Sequence, residues 1–354
     1  MKEHEARRRL YALELREGTA RFFHPRQSHC PWCTSGSLSV QLRTVDLLQH
    51  KPGSFTLERC DACQHIFQNP RLNDIGLAFY YRDAYDGLGR ETMAKQFARK
   101  QRAYRRRAHA VSVFCTDPGD WLDVGAGHGH FCEAASAVFP RTRFDGLDSS
   151  DGIDDARMAG RIRCAFRAAL PAMASAMKSS YDVVSMYHYL EHTTDPVEEL
   201  RAARTLLRRG GYLVIEVPDA SSRLSRWLGR FWLPWLQPQH LHFVPRENLM
   251  RRLEALGFTI VEDSTTAHDP CDLAAAAWLA LDYRMPRTDA PWHASKPGPC
   301  RRMLRACLIM MAMPALVLLV AADRYLVAPL ASRLRISNAY RVIARYMPDD
   351  HTPS

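Results

Sequence analysis

Between residues 118 and 263, short apolar runs alternate with amphipathic stretches. An apolar run at 121–124 closes on an acid, three glycines follow, and apolar positions then recur at helical spacing over 131–138. Further strand-like runs lie at 143–148, 162–166 (poorly marked), 181–187, 212–217 and 258–262. Between the fourth and fifth, Asp195-Pro196 opens a helix with a cap residue and a proline at the first turn. Arg208-Arg209-Gly210-Gly211 stops that helix. The fifth run is apolar except Glu216, as expected of a strand buried on both faces. A last strand is predicted at 339–346, beside the sixth. Strands alternating with helices at this spacing predict an open, doubly wound parallel sheet.

The glycines of Asp123-Val124-Gly125-Ala126-Gly127-His128-Gly129 stand between a strand and a helix. Glycine there admits left-handed backbone and close approach of a ligand, and the helix start offers unpaired N–H groups. A second acid, Asp148, ends the next strand about 20 residues on, where a carboxylate can accept hydrogen bonds from both ribose hydroxyls. A nicotinamide-type turn would carry its third glycine five residues after the first; here Gly129 follows Gly125 by four.

Upstream of the sheet the chemistry changes. Cys30-Pro31-Trp32-Cys33 and Cys60-Asp61-Ala62-Cys63 flank strand-like segments at 38–42 and 54–59. Two such knuckles have the spacing of a four-thiolate zinc ribbon, each supplying two ligands from one tight turn. A lobe this small has little core of its own, so the metal supplies much of its folding energy. The closed ligand set implies a structural ion.

Charge adds less. The chain carries a formal net charge of +10, with 47% hydrophobic and 24% charged residues, which suits either an acidic partner or a soluble basic enzyme. Residues 93–114 place Met93, Phe97, Tyr104, Ala108 and Val111 at near-helical spacing, with seven lysines and arginines between them. That run is either a solvated helix face or a contact for phosphate-bearing substrate or lipid. Residues 1–21 alternate charges and lack an apolar segment, so no secretory signal is expected. Ten cysteines then imply a reducing, cytoplasmic setting.

In this order the motifs resemble the class I S-adenosylmethionine-dependent methyltransferases. The likeness runs from Leu122-Asp123-Val124-Gly125-Ala126-Gly127-His128-Gly129 through Gly146-Leu147-Asp148-Ser149 and Leu190-Glu191-His192, then Leu206-Leu207-Arg208-Arg209-Gly210-Gly211. It implies an α/β fold: a Rossmann-like seven-stranded methyltransferase sheet with a small N-terminal zinc ribbon and an apolar helical insertion between strands 6 and 7. It also implies that Asp123, Gly125, Ala126, Gly127, Gly129, Asp148, Ser149 and Tyr187 bind S-adenosyl-L-methionine, and that Cys30, Cys33, Cys60 and Cys63 bind zinc. One departure stands out: the family's adenine-binding acid after the third strand is missing from Cys164-Ala165-Phe166-Arg167-Ala168-Ala169. Backbone or apolar contacts must hold adenine, or the third strand lies elsewhere.

Methyl transfer from a sulfonium needs alignment above all, and a base only where the acceptor arrives protonated. The candidate bases follow the fourth and fifth strands: His188, His192, His240 and His242, with His192 and His240 preferred. Between them, Leu224, Trp227, Leu228, Phe231 and Trp235 make an apolar stripe with arginines beside it. It predicts a lid helix or an interfacial helix at a bilayer. The insertion holds apolar stretches at 273–281 and 306–322, the second with no charge for 17 residues and Pro314 inside it. That is the lower limit for spanning a bilayer of about 30 Å. If the last strand rejoins the sheet, the chain must return to the side it left, which a single span cannot do. A cap packed on the protein or at a dimer contact, and a re-entrant or surface-lying anchor, are the two readings this leaves; a single span requires the last strand to be misplaced.

The expected organisation is a charged helix or tail (1–24), a zinc-ribbon lobe (25–75) and a connector with a basic helix (76–116). After these come a methyltransferase core (117–263), the apolar insertion (264–334) and a last strand with tail (335–354). The expected function is methyl transfer to a small molecule, a sugar or a lipid-linked glycan, in the cytoplasm or at the cytoplasmic face of the membrane, with contact through 221–239 and 303–330. The competing expectation is an inactive methyltransferase-like binding protein whose basic helix engages nucleic acid or another acidic partner.

Overall fold

A computed structural model describes residues 2–82 and 100–347. After a charged helix over Lys2–Glu14 come three short strands, β1 (Leu38–Thr44), β2 (Phe55–Cys60) and β3 (Ile66–Gln68). Helix α1 (Gln101–Ser112) leads into β4 (Asp120–Val124), α2 (His130–Ser136), β5 (Arg143–Leu147) and β6 (Ala165–Phe166). Then follow β7 (Tyr181–Tyr187), α3 (Pro196–Leu206), β8 (Leu207–Pro218) and β9 (His242–Phe243). The chain closes with β10 (Phe258–Ser264), α4 (Asp272–Arg284), α5 (Pro299–Ala322) and β11 (Ala339–Tyr346).

The chain divides into two compact units. Met1–Ala84, Ala220–Phe243 and His268–Asn338 make the first; Tyr85–Asp219, Val244–Ala267 and Ala339–Ser354 make the second. The second unit holds a seven-stranded sheet in the order β10-β11-β8-β7-β4-β5-β6. Its strands run parallel except at β11, which pairs antiparallel with both β8 and β10. The predicted last strand therefore does rejoin the sheet, and it sits between β10 and β8. Its placement has a polar component: Arg341 on β11 reaches Glu216 on β8 and Glu262 on β10, each at 3.4 Å. The poorly marked third strand is real but only two residues long. Because β6 lies where the sequence puts it, the missing adenine acid is a true departure: Arg167 stands there, paired with Asp151.

The core of this sheet gathers on Trp121. Its ring lies 5.4–5.8 Å from those of Phe131, Phe139 and Phe144. Tyr104, Ala108 and Val111 of α1 bury at the helical spacing of four and three and join the same cluster. Met93, Phe97, Lys95 and Arg99 of the predicted basic helix, like Tyr85 of the connector, lie outside the described residues. Within α1 the expectation of one solvated basic face needs correction. Arg102, Arg105 and Arg106 are exposed, but Arg107 turns inward onto Glu216, with Nε 2.9 Å from the carboxylate.

In the first unit β1, β2, β3 and β9 form an antiparallel sheet. The predicted lid helix does not run through 221–239. It spans Arg223–Leu228 and then breaks into single 3-10 turns at Gly229–Phe231 and Leu233–Trp235. Gly229 takes a left-handed φ of 56° and Pro234 sits in the second turn, so a regular helix cannot continue. Trp232 and Trp235 pack on Leu57, Ile66 and Phe243, which leaves Trp227 as the exposed tryptophan of that stripe.

The buried cross-strand ions give a test. Replacing Arg341 with Ala is expected to cost about 3 kcal/mol, because two carboxylates lose a buried partner. Urea unfolding followed by tryptophan fluorescence measures it. A loss under about 1 kcal/mol would mean that the group behaves like an exposed pair.

Candidate functional site

The turn after β4 has the shape its glycines foretell. Gly125, Gly127 and Gly129 all adopt positive φ, at 78°, 50° and 72°. A Cβ on Gly125 would strike the Tyr189 ring at 3.0 Å and one on Gly129 would strike Ala156 at 2.9 Å. At Gly127 a Cβ would meet nothing within 4 Å, so this is where the turn faces open space. Gly127 N–H donates to Asp148 at 2.9 Å, and the other carboxylate oxygen of Asp148 accepts from Ser150 N–H at 2.8 Å. Asp148 thereby fixes the turn from the end of the neighbouring strand. Ser149, beside it, is exposed, and Ala126 is half-buried.

Asp123 lies beneath the turn, buried at the end of β4. Its carboxylate accepts from Ser185 Oγ at 2.6 Å, and Ser185 in turn accepts from Trp121 Nε1 at 2.9 Å. Burial pushes the Asp123 carboxyl up to about 7, although the Ser185 hydroxyl and the more distant Arg107 favour its ionised form. A cation placed there would draw the proton off.

Tyr187 ends β7 with its hydroxyl buried and lacking a hydrogen-bond partner among the described residues. The Arg107 guanidinium lies 4.8 Å from its ring centroid. Glu216 is the hub of this end of the sheet. Burial opposes its charge, but Arg107 and His188 hold its carboxyl down at about 2. His188, at a left-handed φ of 54°, places Nδ1 3.1 Å from Glu191 and Nε2 3.6 Å from Glu216. Burial would lower its pKa, yet these two carboxylates raise it to about 9. Even with 37% of its side chain exposed, His188 keeps its proton at neutral pH and is no base there.

The other histidines differ. His192 closes the 3-10 turn Leu190–His192 in the second unit. In the first unit, His240 is buried, and Nδ1 donates to the Pro234 carbonyl at 2.7 Å, which leaves the lone pair of its neutral form on Nε2. His242 stacks on His65 in the strand sheet, with Nδ1 3.3 Å from His65 Nε2.

In that unit, Cys30, Cys33, Cys60 and Cys63 bring their sulfurs within 4.8 Å of one another, placed to hold a metal ion. Two of the pairs stand at 3.7 Å (Cys30–Cys63) and 3.5 Å (Cys33–Cys60). Four sulfurs in a tetrahedron around zinc would stand about 3.8 Å apart. The knuckles repeat one turn: the residues after each second cysteine, Thr34 and Gln64, take left-handed φ of 63° and 62°. Each donates its N–H to the carbonyl of the knuckle's first cysteine. Burial pushes the Cys30 thiol up to about 11, whereas at Cys60 burial is outweighed by hydrogen bonds from the knuckle backbone and from Cys33, which lower the thiol to about 7; a cation among the sulfurs would favour the ionised form of both.

Sequence motifs picked out the glycines, both acids and the cysteines as candidates. They missed Ser185, which no motif marks, and the partners of Glu216. Glu216 itself carried a signal, as the one acid in an otherwise apolar strand.

Comparison with known proteins bears on the second unit. Residues 96–263 match the family described as a methyltransferase domain. The ubiquinone biosynthesis O-methyltransferase of Aeromonas salmonicida (strain A449) is 34% identical over 101 residues, which are 27% of this chain and 42% of that protein. The chain thus spans under half the length of this curated relative. A solved S-adenosylmethionine-dependent methyltransferase from Archaeoglobus fulgidus is 17% identical, with 76% of this chain and 99% of that one covered at a TM-score of 0.45. The 1,6-didemethyltoxoflavin-N1-methyltransferase of Burkholderia thailandensis is 15% identical, covering 83% and 96% of the two chains at a TM-score of 0.45.

Two measurements test the site. Affinity for S-adenosyl-L-methionine, measured by calorimetry, is expected to fall about tenfold per pH unit below 7 and to level off above it, because a cationic ligand must displace the Asp123 proton. Asp123→Asn should flatten that dependence and weaken binding at pH 8 by about tenfold or more. Elemental analysis should find one metal ion per chain, lost with unfolding of the lobe in Cys30→Ser or Cys60→Ser; metal retained by both variants would dismiss the four-sulfur centre. With the fold and the turn in place, residues 96–263 match a methyltransferase domain, carried on one chain with a four-cysteine lobe.

Proposed function

We propose that this protein is a methyltransferase that moves the methyl group of S-adenosyl-L-methionine to a small molecule, a sugar or a lipid-linked glycan. The observation that carries the reading is the turn at Gly125–Gly129, framed by Asp123 below and Asp148 beside it in a family-matched domain. S-adenosyl-L-methionine supplies an activated methyl group on a cationic sulfur. Asp148, with Ser149 beside it, would orient the ribose; Gly125, Ala126, Gly127 and Gly129 give close backbone approach; Asp123 would face the cationic methionine end. Tyr187, with its buried hydroxyl, completes the donor-binding set. For the four-cysteine centre the ion proposed is zinc, in a structural role.

An oxygen acceptor, as in the name of the curated relative, would have to lose a proton. His192 and His240 are the candidates for accepting it; the Nδ1 bond of His240 leaves its neutral ring a basic Nε2. His188 is set aside because Glu191 and Glu216 hold it protonated. For the acceptor, the reading includes contact with the cytoplasmic face of a membrane through 303–330, where the long apolar helix Pro299–Ala322 has no buried residue. Trp227, the exposed tryptophan of 221–239, would join that contact.

The second reading is a protein that binds the donor without turnover, its exposed Arg102, Arg105 and Arg106 engaging nucleic acid. Labelled donor incubated with host extract, then separated into lipid, glycan, protein and nucleic-acid fractions, decides between them. Label in the lipid or glycan fraction, or in a small molecule, is expected. Donor binding without any transfer, together with strongly salt-dependent nucleic-acid binding, would favour the second reading. In the active protein, His240→Gln should cut turnover by about a hundredfold with donor affinity intact; unchanged turnover removes His240 from the chemistry.

A further inference from the structure

We infer that α5 lies flat in one leaflet of an anionic membrane rather than crossing it, held at both ends by α4. The inference rests on the membrane contact proposed above and adds its geometry and the lipid charge it selects.

From Ala306 to Ala322 the helix carries no charged residue, and no residue of α5 is buried. Half-covered positions recur every three or four residues, at Arg305, Leu308, Ile309, Ala312, Leu316 and Leu319, so one narrow stripe leans on α4. The rest faces outward: Met310, Met311 and Leu318 are each 68–71% exposed. A helix apolar around its circumference belongs in a core or in lipid, and no core covers this one among the described residues.

Composition alone would allow a span. The attachments do not. Arg305, near the start of α5, pairs with Asp282 at the end of α4 and donates to the Pro286 carbonyl at 3.1 Å. Asp323, just past the end of α5, accepts from Leu273 N–H at 3.0 Å and Ala274 N–H at 2.9 Å, at the start of α4. These two grips are 18 residues apart on one helix, about 27 Å. Helix α4 is itself locked into its unit. Buried Asp272 accepts from Trp232 Nε1 at 3.0 Å and from Asn338 Nδ2 at 2.9 Å, and Asp282 also binds His50. Standing α5 upright in a bilayer would drag this polar seam through the hydrocarbon, where every unsatisfied polar group is costly. Lying in the plane keeps the seam on the protein side and gives the outward face to lipid.

Charge selects the occupant. The one acid between residues 299 and 335 is Asp323, which is fully buried. The exposed charges there are Arg301, Arg302, Arg324, Arg333 and Arg335, all positive. Elsewhere in the same unit, Trp227 is 73% exposed, and Arg230 lies 4.7 Å over the exposed Tyr283 ring, the pairing of arginine and aromatic that suits a headgroup layer. A second copy apposed through this face would bring like charges together, whereas anionic headgroups complement them.

The test uses the full chain and phosphatidylcholine vesicles with and without phosphatidylglycerol. Flotation should recover the protein with the anionic vesicles, less so as salt rises. Arg301→Glu with Arg302→Glu should weaken that binding by about tenfold or more and leave S-adenosyl-L-methionine affinity unchanged. With Cys300 and Cys307 replaced by Ser, nitroxide labels at Met303, Met310, Leu318 and Tyr325 should all report the same shallow depth. Depth that peaks mid-helix, with position 325 accessible from the opposite side, overturns the in-plane geometry while leaving membrane contact standing. No binding to either vesicle overturns the contact as well. Label–label contacts between chains without vesicles would assign the face to a second copy and overturn the inference.

Discussion

A carboxylate that is fully buried at the end of a parallel strand constrains everything around it. Asp123 is tolerated because Ser185, its direct neighbour in the β4–β7 pairing, turns a hydroxyl toward it at 2.6 Å. Trp121, two residues earlier on the same strand, fixes that hydroxyl while anchoring the apolar cluster. One indole therefore serves both the core and the acid. A slip of one residue between β4 and β7 would strand the acid without its donor and turn the alternate side chains to the wrong face. The glycine turn sits directly on this arrangement, and its geometry follows from a register that polar and apolar contacts specify together.

Much of this was legible in the chain. Strands covered on both faces are mainly apolar, so β4, β5, β7 and β8 announce themselves, and the acids near the ends of β4, β5 and β8 stand out against that background. The two-residue β6 is too short to carry a period. The apolar stripe at 224–235 looked helical because periodicity ignores backbone. Gly229 and Pro234 redirect the chain, and the tryptophans end up in the strand lobe. Arg107 could not be told from its arginine neighbours, since a charge pattern gives composition and not direction; only the position of Glu216 decides which one turns inward. The histidines were the least legible. His188 and His240 are the same residue type in loops after adjacent strands. One sits between two carboxylates, which favour its protonated form, and the other sits against a carbonyl.

The knuckles are legible for a different reason. Metal geometry is stricter than packing, so two short C-x-x-C turns leave little freedom, and the matched left-handed Thr34 and Gln64 record that constraint in the backbone. No motif gave the angle of α5 to anything. Its neighbours α4 and Asp323 determine it, and Asp323 read as an ordinary charge at the end of an apolar run.

Asn338 has a consequence for how the chain folds. Its side chain receives the Asp269 N–H at 3.0 Å and donates to the Asp269 carbonyl at 2.7 Å, so the long excursion after β10 begins and ends at one clasp. Loop-closure entropy grows only with the logarithm of length, about 0.6 kcal/mol per doubling, and a clasped excursion behaves as a much shorter connection. An insertion that folds on itself first presents β10 and β11 as the two arms of a ready-made hairpin. That sequence-distant pairing then forms with the kinetics of a local one.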